Sequence, residues 1–156
     1  MIDMMRIKLR ETLREDLNGT YGIGVTLSIR LYPRQEYSIQ ISFGCNPERV
    51  EELNQTVFDQ IDSLQVFGPR EKYITKVRET QTRSYETNLK ENGYWVNELR
   101  SAYYTKQYPL NILEYPKLVE TLSAKMVQDA TKKYFNTDNY VQVVLLPESQ
   151  EKDEQE

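Results

Sequence analysis

The sequence predicts an α+β domain in which an antiparallel sheet, made of a hairpin and a C-terminal strand, is covered by several helices. Three observations carry this expectation. Apolar residues recur at helical spacing as far as Leu17, the period falls to two between Ile23 and Phe43, and helical spacing resumes after Cys45 until a last apolar run. At 156 residues the chain is one domain's worth of material, enough to bury a core without metal or disulfide staples.

Each element has its own local signal. Met5, Leu9, Leu13 and Leu17 follow one another at four-residue intervals and, with Ile2, draw an apolar stripe on a first helix. "LNG" closes it, with Gly19 as a C′ stop. From Ile23, the residues Val25, Leu27, Ile29 and Leu31 point one way and Thr26, Ser28 and Arg30 the other. "YPRQE" interrupts the run before Tyr37, Ile39, Ile41 and Phe43 resume it, which reads as a hairpin with one wet or thinly covered face. Asn46 is a candidate N-cap with Pro47 at the first helical position, and Val50, Leu53, Val57, Ile61 and Leu64 form the buried stripe of the next helix.

A long, partly exposed helix follows from about Pro69, expected to carry charge pairs four residues apart. Asn92 and Gly93 break or bend it before a stripe of Trp95, Leu99 and Ala102. "YPLNILEYPKLVETL" and "SAKMVQDATKKYF" read as two short helices, the second capped by Ser123. "NYVQVVLLPE" reads as the last strand, so the domain is expected over residues 1–147, with a disordered acidic tail over 148–156. Three strands are few for so many helices. A chain that opens directly into an amphipathic helix reads as starting within a domain, so further strands of the same sheet are expected upstream; the alternative is a homodimer through an exposed sheet edge.

Composition narrows the chemistry. The chain has no histidine and one cysteine, Cys45, so it can build neither a Ser-His-Asp nor a Cys-His device, nor a His-bearing or thiolate zinc site. No cofactor or metal site is expected within it. A net charge of −4 gives no general footprint for nucleic acid, although 12 tyrosines could in principle stack bases. With 38% hydrophobic and 28% charged residues the composition is that of a soluble globular protein, no apolar run approaches a membrane span, and "MIDMMRIKLRE" is too charged for a secretory signal. "YGIG" does not read as a phosphate loop, because such a loop follows a strand and opens a helix, and this one does the reverse. The aromatic group from Tyr94 and Trp95 to Tyr103, Tyr104 and Tyr108 reads either as core or interface or as the lining of a peptide-binding surface.

"LREDLNGTYGIGV" with the paired strands behind it, "SFGCNPERVEEL", "FGPREKYITKVRE", "NLKENGYW" and "YVQVVLLPE" together resemble the C-terminal half of the pitrilysin/insulin-degrading-enzyme family of zinc peptidases. The resemblance covers the chain to about Pro147. In that family the C-terminal half carries Leu-Arg, six residues, then Tyr-Gly, and Leu13, Arg14, Tyr21 and Gly22 fall on this pattern. The family's N-terminal half holds the inverted motif His-x-x-Glu-His and the zinc, while the C-terminal half closes over the peptide. The resemblance therefore implies that this chain is inactive alone and contributes to proteolysis by a longer parent. Its partners would be the zinc-binding half, on the same protein or a partner subunit, and a peptide or unfolded-protein substrate. Tyr21 would hydrogen-bond the substrate carbonyl or the oxyanion formed from it, and Arg14 would bind substrate backbone or fix Tyr21. Two other readings stand beside this one: a structural or peptide-binding scaffold from an inactive family member, and an unrelated α+β dimerisation module.

Overall fold

The first apolar stripe folds as expected and becomes the centre of the molecule. In the computed structural model, which describes residues 1–146, α1 spans Ile2–Leu9 and runs on as a wider π-helical stretch, Arg10–Asp16. Met4, Met5, Leu9 and Leu13 of this rod are fully buried. They face both the hairpin and the helices behind it.

The hairpin consists of β1, Ile23–Arg30, paired antiparallel with β2, Glu36–Phe43. Its register sets Ile23 opposite Phe43, Val25 opposite Ile41, Leu27 opposite Ile39 and Ile29 opposite Tyr37, so the apolar residues of both strands share one face. α1 lies against β1, burying Val25 and drawing Ile23, Ile41 and Phe43 onto the core, while Leu27, Ile29 and Tyr37 further along remain exposed. The Arg6 guanidinium fastens helix to strand by donating to the Val25 carbonyl at 2.7 Å, and Asp3 steadies it at 2.6 Å. An Arg30–Glu36 ion pair closes the far end of the ladder.

Helices complete the domain. A single 3₁₀ turn, Pro47–Arg49, is capped by Asn46, whose side-chain oxygen accepts from the Glu48 N–H at 3.1 Å, and it leads into α2, Val50–Phe67. Leu53, Val57, Ile61 and Leu64 are the buried stripe expected of α2. Gly68, with φ 68°, turns the chain into α3, Glu71–Asn88. The charge pairs expected four residues apart along α3 give way to longer reaches: Lys76 pairs with Glu11 at 3.4 Å, and Arg78 donates through Nε to the Leu122 carbonyl at 3.1 Å. α3 and α4, Asn92–Thr105, meet at a bend sealed by the Trp95 indole N–H on the Leu89 carbonyl at 2.9 Å. A 3₁₀ stretch, Pro109–Glu114, then α5, Tyr115–Glu120, and α6, Ala124–Tyr134, follow, the last capped by Ser123 accepting from the Met126 N–H at 3.3 Å. Gln128 of α6 donates to the Gln65 and Val66 carbonyls and Gln65 to that of Phe135, which locks α6 onto α2.

The α+β class stands, but the sheet is smaller than expected. Among the described residues it has two strands, and the segment expected as a third is irregular and exposed from Tyr140 to Leu146. A strand needs a neighbouring edge to satisfy its backbone, and this segment lies instead on the outside of α2, held by Phe58 stacking edge-on to Tyr140 at 5.0 Å and by Asn54 donating to the Gln142 side chain at 3.0 Å. The tail expected over 148–156 lies outside the described residues.

One tie between the rod and α3 titrates. The Tyr73 hydroxyl donates to the Glu11 carboxylate at 2.6 Å, and that hydrogen bond, helped by Lys76, holds the Glu11 pKa below its ordinary value of 4.5. A folded-state pKa lowered in this way adds stability above the ordinary value, and the gain disappears as pH falls through the lowered one. Tyr73→Phe should therefore be less stable than the wild type by about 1 kcal/mol near neutrality, a hydrogen bond to a charged but partly exposed group. Urea unfolding of both proteins at pH 7 and at pH 3 should show the gap narrowing at the lower pH.

Candidate functional site

The end of the rod and the start of β1 form one rigid corner. Leu17 N–H bonds the Thr12 carbonyl at 3.0 Å, five residues back, and Gly19 N–H bonds that of Leu13 at 2.8 Å, six back, so the last turns widen as the helix ends. Asn18 takes the left-handed conformation, φ 47°, that the sequence assigned to Gly19 as helix stop. Gly19 has a different reason to be glycine: a Cβ there would stand 2.5 Å from a Leu53 methyl carbon, inside the core. Arg49 grips the corner from outside, donating to the Leu17 carbonyl at 3.2 Å while its other nitrogens clamp Glu52 at 2.9 Å each.

Thr20 then fixes the exit. Its buried hydroxyl lies 2.8 Å from the Gly22 carbonyl and 2.7 Å from that of Gly44, sharing its proton between them, and accepts from the Gly22 N–H at 3.3 Å. The residue between, Tyr21, is thus bracketed by a side chain that ties its two backbone neighbours to the end of β2. The tyrosine itself is 100% exposed. Strand-entry tyrosines ordinarily pack the ring and wet the hydroxyl. Here the backbone is fastened and the whole side chain is presented to solvent.

Arg14 sits in the π-helical stretch and is exposed as well. Such stretches recur at functional sites because they re-aim side chains. Among the described residues Arg14 has no ion pair or hydrogen bond, and the carboxylate of Glu11, three residues before it, is engaged by Tyr73 and Lys76. No hydrogen bond joins Arg14 to Tyr21, so the part of fixing Tyr21 falls to Thr20. Sequence reasoning passed over Thr20, though a threonine beside Tyr-Gly at a strand entrance is the composition of a side-chain-closed turn. The aromatic group divides: Tyr94 and Trp95 are half-buried, with Tyr94 ring-to-ring with Tyr85 at 6.5 Å, while Tyr103, Tyr104 and Tyr108 are exposed. Tyr104 meets Tyr32 of the hairpin tip edge-on at 5.4 Å.

A zinc ion would find no home in these residues. The chain has no histidine, and among the described residues no three Cys, Asp or Glu side chains cluster as ligands would. Cys45 is half-buried against the core. Among the described residues, no helix is long and apolar enough to cross a membrane.

Known proteins share this fold. The chain is 27% identical over 121 residues to a zinc protease PqqL-like protein of Arabidopsis thaliana, covering 70% of this chain and 13% of that one. It is 28% identical over 137 residues to a probable zinc protease PqqL of Haemophilus influenzae, covering 82% and 15%. The chain is a relative of the pitrilysin-like, M16 zinc proteases. It spans about a seventh of the length of these relatives. Among solved structures, an M16 peptidase inactive domain from Pseudomonas fluorescens superposes with a TM-score of 0.70 at 18% identity, over 83% of this chain and 30% of that one. The periplasmic protease PqqL of Escherichia coli superposes with a TM-score of 0.65 at 22% identity, over 85% and 15%. No family model matches the chain. The M16 relationship agrees with the family resemblance read from the sequence and supports a peptidase-family domain.

Two substitutions test the corner. Gly19→Ala should cost about 1–3 kcal/mol, the usual price of overpacking a filled core. Thr20→Val, which strands the Gly44 carbonyl, should cost about 1–2 kcal/mol, and Thr20→Ser should recover most of it. Urea unfolding midpoints read both.

Proposed function

We propose that this domain is a portion, without zinc ligands of its own, of a zinc-dependent endopeptidase, and that it closes the peptide-binding chamber and contributes contacts to the substrate. The observation that carries the proposal is Tyr21: a wholly exposed side chain on a backbone fastened at both flanks, at the position where the family pattern sets its tyrosine. A phenol so presented has its backbone already placed and gives up only its two side-chain torsions when it donates a hydrogen bond to a substrate carbonyl, and it donates more strongly as that oxygen gains negative charge. Arg14, free of protein partners among the described residues, would bind substrate backbone carbonyls one turn before the corner. The zinc expected in the parent would be held by its other half, which also covers this domain's open face. Burying the hairpin's exposed Leu27, Ile29 and Tyr37 there would add apolar contact between the halves.

A second reading has an observation of its own. The Pseudomonas structure of the same fold is an M16 inactive domain. By that analogy the domain would be a scaffold that holds peptide or its partner half without assisting the chemistry. The two readings part on one hydroxyl. In the full-length source protein, Tyr21→Phe should lower chelator-sensitive cleavage of a quenched peptide about 10- to 1,000-fold, while leaving the unfolding free energy of this chain within about 0.5 kcal/mol, as expected for an exposed residue. Wild-type activity that survives the substitution undiminished would remove the donor role, and a wild type inactive across metals and peptides would favour the scaffold.

A further inference from the structure

A cleft of about 600 Å³ lies between the rod, the C-terminal end of α2 and the start of α3, lined by residues other than Arg14 and Tyr21. Two cations line it. Lys8 is half-buried and donates to the Ser63 hydroxyl at 3.1 Å, and Arg70 stands at the N-cap of α3. Neither has a carboxylate partner among the described residues: Glu11 is taken by Tyr73 and Lys76, and Glu71 lies 3.8 Å from Arg78. Burial and the charge of Arg70 both lower the Lys8 pKa, so the two cations are held together at a cost that a ligand of opposite sign would relieve.

The remaining donors converge on the same space. The Lys8 ammonium has three protons and spends one on Ser63, whose own hydroxyl proton is left to donate, and Thr12 offers a second hydroxyl on the wall. Among the described residues no side chain caps the first turn of the 18-residue α3, which begins beside Arg70. Gly68, with its positive φ, turns the chain between α2 and α3 and lines the cleft together with Arg70.

We propose that this cleft is a binding site for a doubly charged oxyanion of the phosphate class, either inorganic phosphate or the phosphate group of a monoester, held between Lys8 and Arg70 with Ser63 as a hydroxyl donor. Two cations lining one cleft favour a dianion over a single carboxylate, and the volume leaves room for the group that an ester carries. The site is independent of the peptidase reading and would exist whether or not Tyr21 assists cleavage.

The test is an amide-resolved NMR titration of the 156-residue chain with inorganic phosphate, phenyl phosphate and benzoate at fixed ionic strength. Saturable shifts are expected at Ser63, Arg70 and Glu71 with both phosphates, and benzoate should bind at least about 10-fold more weakly. Lys8→Met keeps the buried stem and Arg70→Gln keeps the length, so both should fold, and each should weaken phosphate about 10-fold or more. Shifts with phosphate no larger than with benzoate, or unchanged affinity in both variants, would overturn the assignment.

Discussion

The burial of one rod holds this domain together. Met4, Met5, Leu9 and Leu13 have no solvent contact, and they are the common ground on which the hairpin, α2 and α3 meet. Each such side chain contributes about 1.5–3 kcal/mol at most by leaving water, so the four together rival the whole net stability of an ordinary domain. Polar ties then set orientation rather than strength: Arg6 on the Val25 carbonyl, Gln81 on Asp3, Tyr73 on Glu11. Remove the rod and the hairpin would be an isolated two-stranded ladder, which is marginal in water.

The geometry of that rod also produces the candidate site. A stripe repeating every four residues drifts about 40° per step around an α-helix of 3.6 residues per turn. The stripe from Met5 to Leu17 would thus wind away from the core before the helix ended. Widening the last turns into a π-helix takes up more residues per turn and brings Leu13 back onto the core. The same widening decides where Arg14 points and how the chain enters Gly19, whose missing Cβ lets the corner close onto Leu53. The packing solution and the exposed Arg14 and Tyr21 are one feature seen from its two sides.

Much of this was legible in the sequence, and the limits have physical causes. The four-residue stripe, the period-two strands and the stripe of α2 appear where expected, as do the Asn46 and Ser123 caps, because each depends on local residue order. Arg14 and Tyr21 could be named by their pattern, but their lack of partners could not, because that depends on where Glu11, Tyr73 and Lys76 lie in space. The strict four-residue spacing, longer than the 3.6 residues of an α-helical turn, is the trace that the π-helical stretch leaves in the sequence, but the same spacing also marks an ordinary amphipathic helix and reads as one. Thr20 and the Lys8–Arg70 cleft stayed hidden for a related reason. The Thr20 partner at Gly44 and the meeting of residues 8, 63 and 70 are made by the fold, not by neighbours in the chain.

The C-terminal segment shows the sharpest form of this limit. A helix satisfies its own backbone, so a helical pattern can be read one element at a time; a strand is a property of a pair. Residues 140–146 have a strand's composition on both faces, the pattern of a strand enclosed in a sheet rather than lying at its surface. Yet Val141 and Leu145 are 88% and 92% exposed, and the segment rests on α2 through Asn54 and Phe58. Apolar exposure of that extent on a segment with strand composition is costly unless something covers it. On the peptidase reading, the cover would come from the remainder of a longer parent, this chain spanning about a seventh of the length of the curated relatives it matches, and that remainder would turn a loosely held segment into a paired strand.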